Sequence, residues 1–172
     1  MLDMGHPGVV TSFNLSRKHL FYDDFLDKFE IILEEYNIPR HLIEFEVTES
    51  MVFDSSILLR DAIEKIHKLG CKCSIDDFGS GYSSLNVLKE FNFDTIKLDR
   101  VFFYGINGFD KKSKIVVDSI TKLSHKLKKK VVAEGVETDE QINFLDEIGC
   151  DYVQGYYYAK PIPFSEYIKK LK

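Results

Sequence analysis

The sequence predicts an α/β protein built on a parallel sheet. Three observations carry this. Short β-rich apolar runs alternate with amphipathic stretches, making six strand–helix units in 172 residues. Such alternation implies right-handed crossovers and parallel pairing. Proline and glycine punctuate the units rather than interrupt them, at Pro39, Gly70, Gly149 and Pro163. Each apolar run also ends in a polar or charged residue where an apolar one would pack better.

The elements follow in order. Residues 9–15 (VVTSFNL) read as a strand, and 18–36 as a helical stretch. Its apolar positions Phe21, Phe25, Phe29, Ile32, Leu33 and Tyr36 recur at three- and four-residue spacing. Residues 42–48 (LIEFEVT) alternate as a strand does. A helix over 54–69 has the stripe Ile57, Leu58, Ala62, Ile66 and Leu69, with Gly70 as its stop. Residues 71–76 read as a strand and 83–91 as a short helix. Strand Thr95–Leu98 leads into a looser stretch around Gly105 and Gly108. Residues 113–127 form a helix on Val116, Ile120, Leu123 and Leu127. Strand 130–133, helix 139–148, strand 152–155 and a helix after Pro163 complete the chain. Two architectures fit: an open doubly wound sheet, or part of a (β/α)8 barrel, which typically needs about 250 residues and eight units.

Composition narrows the function classes. With 23 Lys+Arg against 28 Asp+Glu, the net charge is −5, which disfavours a nucleic-acid duplex as partner. No apolar run approaches the roughly 20 residues of a membrane helix, and the first ten residues lack the pattern of a signal peptide. Cytoplasmic residence is expected. Cys71, Cys73 and Cys150 complete no metal-binding pattern and read as small core residues in a reducing compartment. The basic run 126–130 reads as a solvated helix end, where cations suit the dipole.

The strand ends carry the chemistry. In order they supply Asn14, Glu46 with Glu49, the pair Asp76-Asp77, Lys97 with Asp99, Glu134 with Glu137, and Gln154. In a parallel sheet these ends share one face, where α/β folds build active sites. Asn14, Glu46, Asp76 and Asp77 make an oxygen-only ligand set suited to Mg²⁺ or Mn²⁺. Lys97 is placed to orient a water or balance phosphate charge. Glu134 is placed to act as a further ligand or general base. Acids holding two metals suit in-line displacement at phosphorus by water. Each residue also has a plain structural use: Asn14 as a helix cap, Glu46 as a solvent-facing alternate, Asp76 as a cap for Gly79-Ser80-Gly81, Lys97 as an exposed lysine and Gln154 as a turn residue. The loop 76–85, DDFGSGYSSL, reads as a lid or anchor over the site.

At these residues the sequence resembles the EAL family of bacterial cyclic di-GMP phosphodiesterases. The resemblance runs from about residue 11 to residue 163, through FNLS (13–16), FEVTES (45–50), DDFGSGYSSL (76–85), DTIKLDR (94–100), AEGVET (133–138) and QGYYYAKPIP (154–163). It implies a TIM-type (β/α) barrel that hydrolyses cyclic di-GMP to pGpG with two Mg²⁺ or Mn²⁺ ions. Carried over motif by motif, Asn14, Glu46, Asp76 and Asp77 resemble metal ligands. Lys97 and Glu134 resemble the residues that handle the attacking water, and Gln154 an active-site contact. Glu49 resembles the glutamate that anchors the DDFG loop, a loop tied in the family to dimerisation. Glu137 falls where the family holds substrate.

One departure is large. The sequence contains no Glu-Ala-Leu and no Glu-x-Leu, so the strand that names the family, with its metal-binding glutamate, is not represented. The expectation is therefore one partial domain over residues 1–172, an incomplete barrel with six units present. Residues 1–10 are expected to be disordered or foreign to the domain. A sensor or cyclase domain is expected upstream in the parent protein. Hydrolysis by this chain alone is expected to be negligible, and an unpaired sheet edge is expected to favour a homodimer or higher oligomer. The competing expectation is a non-catalytic module that binds cyclic di-GMP or a protein partner.

Overall fold

A computed structural model describes residues 8–22, 24–54, 56–81, 85–103 and 110–170. Its centre is a six-stranded sheet in the order β1-β2-β3-β4-β5-β6, with every pairing parallel. The strands are β1 Thr11–Asn14, β2 Ile43–Thr48, β3 Lys72–Phe78, β4 Thr95–Leu98, β5 Lys130–Glu134 and β6 Tyr152–Gln154. Each strand pairs with its neighbour in sequence, which excludes the reversal of strand order that defines a doubly wound sheet. The sheet curls into a half-barrel. The helices are α1 Phe25–Glu35, α2 Glu49–Asp54, α3 Ser56–Lys68, α4 Leu85–Glu90, α5 Lys111–Lys126, α6 Asp139–Glu147 and α7 Phe164–Lys170. None of them is long and apolar enough to cross a membrane.

Two-residue alternation sorts each strand's side chains. Phe45, Val47, Cys73, Ile75, Ile96, Leu98, Val131 and Ala133 face the helices and join one core with Leu33, Leu59, Ile63, Ile66, Val117 and Leu145. Burying each large one contributes about 1.5–3 kcal/mol. The opposite face carries Glu44, Glu46, Ser74, Asp76, Thr95, Lys97 and Glu134. This sequence therefore lines the inside of its half-barrel with polar groups.

Several helices rotate relative to the sequence expectation. The stretch 18–36 is not one helix. Ser16 donates its N–H to His19 Nδ1 at 3.1 Å, a 3₁₀ turn runs over Arg17–Phe21, and α1 starts afresh at Phe25. The restart points Leu26 and Leu33 into the core and leaves Phe21 and Tyr36 64% and 66% exposed. In α3 the buried face is Leu59, Ile63 and Ile66, while Ile57 lies 77% exposed. In α5 it is Val117, Ile120, Thr121 and Ser124 rather than Val116 and Leu127. Thr121 and Ser124 are tolerated there because their hydroxyls donate to Val117 O at 2.9 Å and Ile120 O at 2.7 Å, so no polar group is orphaned. Helix α2, absent from the sequence reading, buries Met51 and Val52.

Residues in the left-handed region end the helices: Asn37 after α1, Gly70 after α3, Lys128 after α5 and Gly149 after α6. The basic run 126–130 is not wholly solvated. Lys129 is buried, and its ammonium donates to Phe93 O at 2.7 Å and Phe91 O at 3.3 Å. Cys71, Cys73 and Cys150 are free thiols, with Cys71 and Cys73 buried. Burial pushes the Cys150 thiol up to about 11, so it is held as a neutral thiol at neutral pH. The looser stretch around Gly105 and Gly108, residues 82–84 of the glycine loop, and residues 1–7 lie outside the described residues.

Below the site lies a buried polar layer. Thr95 Oγ1 donates to Glu44 Oε1 at 2.7 Å. Burial raises the Glu44 carboxyl above the ordinary range, with the Thr95 bond acting against it. A raised carboxyl costs stability once pH climbs through its folded value. Glu44→Gln keeps an acceptor for Thr95 and removes the ionisation. The variant is expected to gain on the order of 1 kcal/mol at pH 7 and nothing at pH 4, read from urea midpoints. A loss at pH 7 would mean that the charge itself is needed there.

Candidate metal centre and active site

Lys97 organises the C-terminal end of the sheet. It sits on β4, and its ammonium reaches Glu134 Oε1 at 2.8 Å on β5, Glu46 Oε1 at 2.9 Å on β2 and Asp76 Oδ1 at 3.0 Å on β3. The Lys97 side chain is only 8% exposed. Burial alone would lower its pKa, but the bonds to Glu134, Glu46 and Asp76 outweigh burial and raise it. Lys97 is therefore charged at neutral pH. Its stabilising effect persists below the ordinary lysine range and is lost only as pH rises through the folded value. An ammonium has three donors, and three carboxylates take them. The geometry leaves Lys97 holding acids in place rather than balancing a phosphate.

The paired aspartates meet through a backbone irregularity. In a regular strand Asp76 and Asp77 would point to opposite faces. The β3–β4 register shifts between Ile75 and Phe78, and Asp77 adopts φ 55°. Such a bulge re-aims side chains at a strand end. Asp77 N–H donates to Asp76 Oδ1 at 3.0 Å. As a result one oxygen each from Asp76, Asp77 and Glu134 lies within 4.8 Å of the others. Burial, the charge of Asp76 and a hydrogen bond with Asp99 push the Asp77 carboxyl above its ordinary value. Burial also raises Glu134, with Lys97 opposing and Asp76 and Glu46 reinforcing the rise. Crowded hard oxygens whose ionisation is penalised fit a divalent cation, which relieves that penalty.

The other sequence-selected residues fall around this centre. Asn14 ends β1, in register with Glu46, and is exposed. Glu46 joins the centre through Lys97, outside the three-acid group. Glu49 opens α2 and is 2% exposed. Its Oε2 accepts from Gly79 N–H at 3.2 Å, which ties the glycine loop down, while its Oε1 is buried with no hydrogen-bond partner. Gln154 ends β6, in register with Glu134. Glu137 lies farther out, on a cleft of about 630 Å³ shared with Arg100, Gln154, Tyr156, Ile162 and Tyr167.

Two neighbours received no site role from the sequence: Arg100, and Asp99, which was picked out only as a polar strand end beside Lys97. Asp99 Oδ1 accepts from Val101 N–H at 2.6 Å and starts a 3₁₀ turn carrying Arg100. With Asp77, Glu134, Gly135 and Gln154, Asp99 and Arg100 line the hollow over the acids. Gly135 sits at φ 67°, and a methyl there would stand 2.5 Å from Arg100 Cβ. Only glycine lets β5 pass so close in this conformation.

Fold and site together define a TIM-type α/β half-barrel protein with acids gathered at the C-terminal strand ends. The EAL domain family model matches residues 1–161, and the chain belongs to that family. It is 33% identical over 168 residues to the cyclic di-GMP phosphodiesterase RocR of Pseudomonas aeruginosa, covering 98% of this chain and 42% of RocR. It matches the structure of the EAL enzyme Bd1971 in its cAMP and cyclic-di-GMP bound form with a TM-score of 0.86 and 35% identity. That match covers 94% of this chain and 42% of the other. The manganese/cyclic-di-GMP complex of Klebsiella pneumoniae BlrP1 matches with a TM-score of 0.83 and 30% identity, over 93% of this chain and 40% of that one. The chain thus spans well under half the length of curated relatives, 20% for one and 42% for another.

Proposed function

We propose that this chain forms the greater part of a cyclic di-GMP phosphodiesterase site, which cleaves cyclic di-GMP to pGpG in bacterial second-messenger signalling in the cytoplasm. One observation carries the reading: Asp76, Asp77 and Glu134 converge on a common point with Lys97 beneath them, in a chain of the EAL family. Asp76, Asp77 and Glu134 would hold Mg²⁺ or Mn²⁺, with Glu46 and Asn14 alongside. Bound divalent ions supply Lewis acidity toward the phosphodiester and a more acidic water.

The protein's own residues do the rest. Lys97 fixes Glu46, Asp76 and Glu134 and offsets their repulsion. Glu134, raised by burial, is poised to take a proton from water on the β5 side. Glu49 holds Gly79 and so the loop bearing Asp76 and Asp77. Gln154 and Glu137 supply polar contacts on the side of the 630 Å³ cleft.

Turnover by the 172 residues alone is expected to be negligible. The sequence has no Glu-x-Leu, and among the described residues β1 and β6 are open edges beside the acids. The test is calorimetry with cyclic di-GMP, with and without Mn²⁺, run beside an assay for pGpG. Mn²⁺-dependent binding with little pGpG is the expected result. Turnover matching a complete EAL domain would overturn the inactivity, and no binding under either condition would overturn the function. The open edges also favour self-association. A second copy or a further segment of the parent protein, such as a sensor or cyclase domain, would cover them.

A further inference from the structure

We propose that Arg100 binds a non-bridging oxygen of the substrate phosphodiester, an assignment that rests on the phosphodiesterase reading above. A phosphodiester is an anion, and the hollow it must enter presents Asp77, Asp99 and Glu134. Those carboxylates repel it. Lys97 is the obvious counter-charge, yet its three donors are committed to Glu134, Glu46 and Asp76 at 2.8, 2.9 and 3.0 Å. Among the described residues lining the hollow, Arg100 is the cation.

Its position fits the task. Arg100 lines both the hollow over the acids and the 630 Å³ cleft that holds Glu137, Tyr156 and Tyr167. A ligand with a phosphate at the acids and a flat base in the cleft passes Arg100 on the way. The backbone beneath is pinned from two sides. Asp99 caps the turn through Val101 N–H at 2.6 Å, and Gly135 packs on Arg100 Cβ. A guanidinium on a fixed stem offers a planar fork that matches two phosphate oxygens.

The experiment measures cyclic di-GMP binding in Mn²⁺ by calorimetry, for wild type, Arg100→Gln and Arg100→Lys. Both variants keep the Cβ packing against Gly135, and binding is compared at a temperature well below the thermal midpoint of each. Arg100→Gln is expected to bind roughly ten- to a hundredfold more weakly. Arg100→Lys, which keeps the charge and loses the fork, is expected to fall between. The loss should appear with pGpG and not with guanosine, which lacks phosphate. An equal loss with guanosine would move the contact to the base and overturn the assignment. A wild type that binds while Arg100→Gln binds as tightly overturns the role of Arg100 alone. A wild type that does not bind overturns the phosphodiesterase reading and this role with it.

Discussion

Replacing Lys97 with methionine is expected to destabilise the protein by about 3–5 kcal/mol at pH 7, the usual cost of stripping one partner from a buried ionic cluster. The length of the side chain is kept, so little volume is lost. What remains is Glu46, Asp76 and Glu134, each formerly within 3.0 Å of one ammonium. Their repulsion then loses the one ammonium that all three share. The sign of the pH dependence follows. Glu134 already lies above the ordinary carboxylate range through burial, and losing Lys97 raises it further. It takes up a proton as pH falls, so the gap between variant and wild type should narrow between pH 7 and pH 5. Urea midpoints at the two pH values read this directly. A variant within 1 kcal/mol of wild type at pH 7 would show that water already screens the acids.

Mn²⁺ provides the second large effect. A cation that binds only the folded protein stabilises it by about 2.7 kcal/mol at a hundred times its dissociation constant. The wild-type melting midpoint should therefore climb with added Mn²⁺. Asp76→Asn should abolish most of that climb while leaving the metal-free fold close to intact. Asp76 Oδ1 accepts from both Lys97 and Asp77 N–H at 3.0 Å, and an amide oxygen still accepts. Its charge as a ligand is gone. A hundredfold weaker site at the same Mn²⁺ concentration retains only about 0.4 kcal/mol. An Asp76→Asn midpoint that rises as far as wild type would place the cation elsewhere.

Much of this was legible in the sequence, and the failures have physical causes. The six strands and their polar ends could be read because parallel strands buried against helices are short apolar runs with abrupt stops. Helix faces were harder. In α5 the predicted stripe took Val116 and Leu127, because threonine and serine look polar. Their back-bonded hydroxyls let Thr121 and Ser124 go inside. In α1 the 3₁₀ turn at Arg17–Phe21 reset the phase, which no residue count reveals. The site residues were found as a set, but their division of labour was not. Lys97 looked free to meet phosphate until three carboxylates were seen around it. The pairing of Asp76 with Asp77 requires a bulge and φ 55° at a non-glycine residue, which neither letter announces. Arg100 was passed over because one arginine in a loop is usually mere solvent contact.

The strand order β1-β2-β3-β4-β5-β6 has a kinetic consequence. No strand waits for a distant partner. Each pairs with the one made just before it, so the loops to be closed are short and their entropic cost is small. As the chain leaves the ribosome, β2 finds β1 already present, and each later unit docks on a growing edge. The acidic centre follows the same order. Lys97 emerges after Glu46 and Asp76 but before Glu134, so two of its three partners are available to it before the third. The last ionic contact needs β5 in place, so the cluster around Lys97 is completed after the first four strands have paired.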